Sequence, residues 1–465
     1  MIRLVVAAAL AAVLCAWHGT SLAQFPSDAT PAAPAGILDP NFKPAKTSVN
    51  SPAAQTQPVI APALAPTIAN QLPKDVQAAY DSAAYLLAAK LGSKALIEQP
   101  GNHALRLVVA NSLAWSGRLD AAIQQYEKLV STPLDAAGKI GVANIYRWRG
   151  KSVLAEPIYA SVLRGDPANS DALEGQKLAQ RDLRLTALKD LAYTRDSTGL
   201  SRIYNASSVG SVTADRSTRW RVGYGLGADR DALGRERYAE LNGSIQGLDW
   251  PLSPRLDLSV SREIAKTRLY GLIHVDIIAD TFGVRAGAVN WGRLSFNRGA
   301  QASGLKANQF GAFLNFSSTV GEVRGRFDVY RIAGSKLDAN QVWDADVNLS
   351  PDWQPIPSGV TWYAGVSAKS ADRTDPRYWS PANTNITGYL GLKKSWYFEK
   401  GDLALGLQRG FKLSDDARNN YSVNANGKFW ISERTALGFE FGASDSPRAS
   451  DYKQRFLGVQ LQRLW

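Results

Sequence analysis

The segment Phe456-Leu-Gly-Val-Gln-Leu-Gln-Arg-Leu-Trp465 sets the fold class expected for this chain. In an extended strand, side chains alternate between two faces with period two. Leu457, Val459, Leu461 and Trp465 then share one face, and Gly458, Gln460 and Gln462 share the other. Arg463 interrupts the apolar face one step before the aromatic end. Such a strand suits a wall with lipid on one side and a polar interior on the other. The edge strand of a soluble sheet has the same pattern, so the choice rests on whether the preceding residues repeat it.

They repeat it from about Thr186 onward. Trp220, Val222, Tyr224 and Leu226 alternate with Arg219, Arg221, Gly223 and Gly225. Val323, Phe327 and Val329 oppose Arg324, Arg326, Asp328 and Tyr330, and Val360, Trp362, Ala364 and Val366 oppose Thr361, Tyr363, Gly365 and Ser367. Tyr421, Val423, Ala425, Phe429 and Ile431 oppose Ser422, Asn424, Asn426, Lys428 and Trp430. Segments of about 9 to 12 residues are long enough for a tilted strand to cross a bilayer. Turn-like clusters separate them, among them Asp229-Arg-Asp231, Leu252-Ser-Pro254, Ser370-Ala-Asp372 and Glu399-Lys-Gly401. The spacing predicts a closed antiparallel barrel of roughly 14 to 16 strands over residues 186–465.

Composition agrees with export to an envelope. Arg3, the apolar stretch Leu4 to Trp17 and the small-x-small site Ser21-Leu22-Ala23 predict a secretory signal peptide over residues 1–23. Cys15 lies within it and follows Leu14, not a small residue, so lipidation is not expected. The mature chain then has no cysteine and no thiol chemistry. No later stretch holds the 18 apolar residues of a spanning helix. The net charge of +12 would attract an anionic surface or polymer, while the lack of any run of five basic residues argues against nucleic acid. Residues 24–74 carry ten prolines and read as a polyproline-like tether.

Residues 75–185 follow a helical period instead. Asp75 to Lys90 reads as one helix, and Ser170 to Leu185 as a closing helix. Between them Ala110, Leu113, Gly117, Ala122, Tyr126 and Leu129 recur 33 residues later as Ala143, Tyr146, Gly150, Ala155, Tyr159 and Val162. The second copy runs on to Asp166-Pro167, a helix stop. Small residues let paired helices approach, glycine ends the first helix and the aromatic fills the shared core. The signature resembles the tetratricopeptide repeat, with two copies and a degenerate third over Asp75 to Gly101; a pair of generic helical hairpins is the plainer alternative.

Little in the chain points to catalysis. His103 falls in a helix-hairpin turn; His274, in Leu272-Ile-His-Val-Asp276, is the one candidate for a Ser-His-acid site on a barrel lipid hydrolase. No metal-ligand spacing, phosphate loop or dinucleotide fingerprint occurs, and no cofactor, metal or catalytic residue is expected. What remains is a pore. Arg219, Arg221, Arg255, Arg324, Arg326, Lys369, Lys393 and Lys428 share the polar phase with Asp257, Asp328, Asp346 and Glu440, and so face the lumen on a barrel reading. Tyr330, Tyr363, Tyr389 and Trp430 add rings over which a sugar chain can slide. A plain water-filled or plugged barrel with internal salt bridges accounts for the same residue types.

The order of parts resembles a known family. Signal peptide, helical repeat and C-terminal barrel resemble the outer-membrane export porins for bacterial cellulose and poly-N-acetylglucosamine, and the aromatic-ended final strand resembles the signal such barrels present to their assembly machinery. Asp375-Pro-Arg-Tyr-Trp-Ser-Pro381 looks like a loop of those barrels, with Tyr378, Trp379, Ser380 and Pro381 as the matching positions. The resemblance implies an outer-membrane location in a Gram-negative bacterium and periplasmic repeats that dock synthesis partners. It also implies a barrel that passes an exopolysaccharide without bond chemistry. The family carries many more repeats than the two or three here. A phage-adsorption repeat-plus-barrel family has a similar layout, so a passive porin or surface receptor is the alternative function. The basic polar phase favours a neutral or anionic polymer over a cationic one.

Overall fold

A computed structural model describes residues 72–465 apart from 83, 233, 249, 251, 264–265, 279–280, 295–299, 301–302, 319, 335–336, 352–359, 374–383, 399, 416 and 446–452. The expected signal peptide, nearly all of the Pro-rich tether and the Tyr378-Trp-Ser-Pro381 motif lie outside the described residues.

Among the described residues seven helices come first: α1 (Lys74–Asp81), α2 (Tyr85–Glu98), α3 (His103–Trp115), α4 (Leu119–Glu127), α5 (Asp135–Trp148), α6 (Ser152–Gly165) and α7 (Ser170–Asp182). The single helix expected over 75–90 is instead α1 and α2. Ser82 caps α1, and its hydroxyl bonds the Ala79 carbonyl at 3.1 Å, a local competitor for helix continuation. The 33-residue period has a physical basis. Gly117 and Gly150 stand at φ +86° and +72°, where the next amides turn back to Leu113 O and Tyr146 O at 2.8 Å. Tyr126 and Tyr159 donate to Asn111 Oδ1 and Asn144 Oδ1, each at 2.7 Å and each 15 residues back. Each ring lies against a glycine of the following hairpin, Gly141 and Gly175, where no Cβ would fit. Ala110, Ala122, Ala143 and Ala155 are fully buried at these helix contacts, while Pro167 lies exposed in the turn after α6.

Sixteen antiparallel strands follow and close on themselves. They are β1 (Thr186–Asp196), β2 (Ser201–Val212), β3 (Thr218–Asp231), β4 (Gly234–Gly247), β5 (Arg255–Glu263), β6 (Lys266–Ile278), β7 (Phe282–Val289) and β8 (Lys306–Ser317). The second half is β9 (Gly321–Gly334), β10 (Leu337–Pro351), β11 (Val360–Ala371), β12 (Asn385–Phe398), β13 (Gly401–Lys412), β14 (Asn420–Ser432), β15 (Thr435–Asp445) and β16 (Lys453–Leu464). A short helix, α8 (Trp291–Leu294), sits between β7 and β8. The barrel closes by pairing β1 with β16 from Thr186↔Leu464 to Asp196↔Gln454. The fold is therefore a closed 16-strand barrel of the outer-membrane class preceded by a helical region, with the strand count inside the expected range.

Outward faces carry the apolar phase. Leu226, Leu241, Leu269 and Phe310 are each more than half exposed, which a soluble sheet would not tolerate around its whole girth. Leu457, Val459 and Leu461 belong to this belt, and Trp465 beyond them is 65% exposed. Arg463 folds back, its Nη1 2.6 Å from Thr435 Oγ1 and its guanidinium 5.6 Å from the Trp465 ring. Among the described residues no helix is long and apolar enough to cross a membrane. The turn expected at Asp229-Arg-Asp231 is instead the end of β3, because Asp229 is withdrawn inward onto Arg202.

Candidate functional site: a lumen spanned at both ends

The inward face of the barrel is polar, and the structure gathers many of its charges into pairs. Arg202 donates two 2.8 Å bonds to Asp229. Arg285 and Gln309 both donate to the fully buried Asp328, at 2.9 and 2.7 Å, with Arg326 Nε at 3.5 Å. Lys369 Nζ lies 3.4 Å from Asp344, both almost wholly buried. Arg255 bonds Asp257 at 2.8 Å and His274 Nε2 lies 3.1 Å from the same carboxylate. His274 thus belongs to a lumen charge network with Asp257 and Arg255. Among the described residues no trio of His, Cys, Asp or Glu could hold a metal ion.

Lumen tyrosines pack over glycines of the wall. Tyr363 and Tyr389 cover Gly391 and Gly365 on the neighbouring strand, and Tyr204 and Tyr238 cover Gly225 and Gly227. The missing Cβ lets each ring rest on backbone; Tyr204, Tyr238 and Tyr389 are buried there, and Tyr363 meets Tyr389 edge to face with the ring planes 69° apart. Tyr363 donates to Gln408 Oε1 at 3.1 Å and Tyr389 to Asp346 Oδ1 at 2.6 Å, which fixes both rings.

All ten of the pore-lining candidates lie on inward faces: Arg219, Arg221, Arg255, Arg324, Arg326, Asp328, Tyr330, Tyr363, Lys428 and Trp430. Two of them do not offer an open surface. Asp328 is saturated by its donors, and Tyr330 is packed against Trp291 with ring centroids 5.1 Å apart. The cause is α8. The segment after β7 folds into the barrel, and Trp291, Ala300 and Leu305 form a small core with Ala307, Tyr330, Ile332 and Val342. Lys369 Nζ sits 5.8 Å over the Trp291 ring from the same side.

The other side of α8 is held by the opposite wall. Arg293 forms an ion pair with Glu240, and its guanidinium stands 4.6 and 5.2 Å from the Tyr238 and Tyr204 rings. Glu240 also accepts from Ser259 at 2.7 Å and Tyr204 at 3.2 Å. Tyr204, Tyr238 and Glu240 stand on β2 and β4, whereas Tyr330 and Lys369 stand on β9 and β11. These walls are nearly diametric in a 16-strand ring. One helical turn therefore bridges the lumen. Sequence inspection missed Arg293, Glu240, Trp291 and the Arg202–Asp229 pair. The available signal was the break in alternation over 290–305, followed by acids placed within strands.

At the other end the helices themselves cross the mouth. Arg216, in the β2–β3 turn, pairs with Glu156 at 2.8 Å, and Arg219 reaches the Gly150 carbonyl at 3.2 Å. Burial alone would raise the Glu156 carboxyl, but Arg216, Gln180 and Gln176 outweigh it and hold it below the usual 4.5. Lys177 pairs with Glu433 in the β14–β15 turn at 2.9 Å, and Arg181 stacks on Trp430 at 4.3 Å. Far from these, Arg118 donates to Ser318 O beyond β8 at 3.0 Å. The β8–β9 turn is diametrically opposite the β16–β1 junction. The helical region is thus a bar laid across the full width of this mouth.

No family model matches the chain, and no curated protein does. Solved structures share its barrel at low identity. A structure described as a bacterial polysaccharide outer membrane secretin matches at 12% identity and TM-score 0.47, over 61% of this chain and 99% of that one. Pseudomonas aeruginosa OccK11 (OpdR) matches at 10% identity and TM-score 0.32, over 61% and 96%. Pseudomonas aeruginosa OprD matches at 8% identity and TM-score 0.33, over 60% and 94%.

Proposed function

We propose that this chain is an outer-membrane channel that exports a polysaccharide from the periplasm. Its helical bar, read as a short tetratricopeptide array, lies on the periplasmic side. The observation that carries the reading is Tyr363, a half-buried lumen ring packed over Gly391, backed edge to face by Tyr389 and fixed by its bond to Gln408. Sugar rings stack on aromatic faces and exchange hydroxyl bonds with polar neighbours, so a partly exposed ring among polar side chains supports sliding without a deep binding well. A lumen spanned by α8 and by the helical bar suits a conduit that opens for cargo better than a passive diffusion pore. In this reading the bar receives the chain from synthesis proteins, and no bond is made or broken in the barrel.

Deletion of the gene, with staining of surface polysaccharide and biofilm matrix, tests this. Loss of extracellular polymer with material retained in the periplasm is expected. Unchanged polymer contradicts it. The lumen bridge formed by α8 also fits a surface receptor, which needs no passage; unchanged polymer with lost phage or ligand adsorption would favour that alternative.

A further inference from the structure

We propose that the outward wall of β16 and β1–β4, at the rim away from the helices, is a docking site for a membrane lipid that carries two phosphates. This goes beyond export and holds equally for a receptor or a passive pore.

Strand register places a row of cations straight across five strands. Arg455 on β16 lies opposite Arg195 on β1, and Arg195 lies opposite Ser201 on β2. Ser201 in turn lies opposite Arg230 on β3, and Arg230 opposite Arg235 on β4. Directly opposed residues project from the same face of a sheet. That face is the lipid side. Leu457, Tyr193, Ile203, Leu226 and Leu241 share the phase of the row on their own strands and are all exposed. The four arginines are exposed as well. β1 runs away from α7, so Arg195 near its end marks the rim opposite the helical bar. With the helices in the periplasm, this rim meets the outer leaflet.

Like charges directly opposed on neighbouring strands are destabilising. Here the row contains two such pairs, Arg195 against Arg455 and Arg230 against Arg235. The outward phase of these five strands holds no Asp or Glu. The acids of this rim on β1, β3 and β4, namely Asp196, Asp229, Asp231 and Glu236, take the inward phase. Asp445, outward on β15, stands across from Lys453. Among the described residues no ion pair neutralises the four guanidiniums. An anion from outside the chain completes each pair. Guanidiniums take phosphate through paired, charge-assisted bonds, and lipid phosphates stand at this level of a bilayer. With strands about 4.8 Å apart, the two arginine pairs are centred roughly 14 Å apart along the wall. One lipid with two phosphates spans them, with Ser201 between. Its acyl chains lie on the belt below, where Tyr224, Leu226, Leu241 and Val260 line a shallow depression. A lipid with one phosphate fills one pair, and a soluble anion leaves the belt unused.

Native mass spectrometry of the protein in detergent tests this with bisphosphorylated lipid A, its monophosphorylated form and inorganic phosphate. One lipid A per barrel is expected, bound about tenfold more tightly than the monophosphorylated form and not displaced by inorganic phosphate. Arg195→Gln with Arg455→Gln should reduce lipid A to the monophosphorylated level, as should Arg230→Gln with Arg235→Gln. The matching Lys substitutions should keep most of the binding, and heat-modifiable migration on gels confirms that each barrel is folded. Equal binding of the two lipids, or lipid A binding that neither double variant weakens, overturns the two-phosphate site. Displacement of lipid A by inorganic phosphate overturns the lipid as occupant. None of these outcomes bears on polymer export, which gene deletion with polysaccharide staining decides.

Discussion

Asp229 and Arg202 show what a single lumen pair is worth. Asp229 has no exposed surface and takes both its strong bonds from one guanidinium. Removing Arg202 leaves a buried carboxylate without its main partner, a change that costs roughly 3–5 kcal/mol. Arg202→Ala should therefore lower the urea midpoint of barrel unfolding, followed by heat-modifiable migration, and Arg202→Lys should recover only part of the loss because it cannot bond both oxygens. An unchanged midpoint would mean the pair is dispensable. Arg463 and Thr435, on the belt, illustrate the opposite case, an exposed pair at the interface expected to contribute little.

The helical hairpins owe their spacing to two aromatic–glycine contacts. Gly141 and Gly175 face the rings of Tyr126 and Tyr159 so closely that any Cβ displaces the ring and its bond to Asn111 or Asn144. Gly141→Ala should destabilise the helical region by about 1–3 kcal/mol, seen as an earlier loss of the helical circular-dichroism signal while the barrel persists. These contacts were legible in outline, since the 33-residue offset marks the small and aromatic positions. The strands were legible for a similar reason: lipid outside and a polar lumen inside impose a period of two on each segment. The course of α8 was not legible. It depends on Arg293 meeting Glu240 from 53 residues away and on Trp291 meeting Tyr330, contacts across the barrel that leave no local period. The break at Ser82 and the inward turn of Asp229 escaped for the same reason, because one competing hydrogen bond or ion pair overrode the local pattern.

Taken together, the chain is a polar tube bridged near one end by α8 and crossed at the other by its helical region. The crossing makes a distance prediction. Cysteines at Arg118→Cys and Ser318→Cys should join through a short bismaleimide, and the absence of other cysteines in the expected mature chain keeps that test clean. No cross-link would mean the bar does not reach the far rim. The Arg216–Glu156 contact adds a pH dependence. Because the Glu156 carboxyl is held below 4.5, its contribution is fully present above that value and is lost as pH falls through its lowered one. Spin labels at Lys151→Cys and Asp215→Cys should therefore report one unchanged distance from pH 7 to 5 and a broader spread once pH falls through the lowered value. The same narrow distance at pH 7 and at an acidity that protonates Glu156 would remove Glu156 from the attachment. The α8 bridge holds the conduit narrow, and planar-bilayer recording of the protein beside Glu240→Ala and Arg293→Ala tests that most directly. Severalfold larger single-channel conductance in both variants, with current interrupted by added oligosaccharide, is the predicted result. The same conductance in all three proteins, or currents indifferent to oligosaccharide, would contradict it.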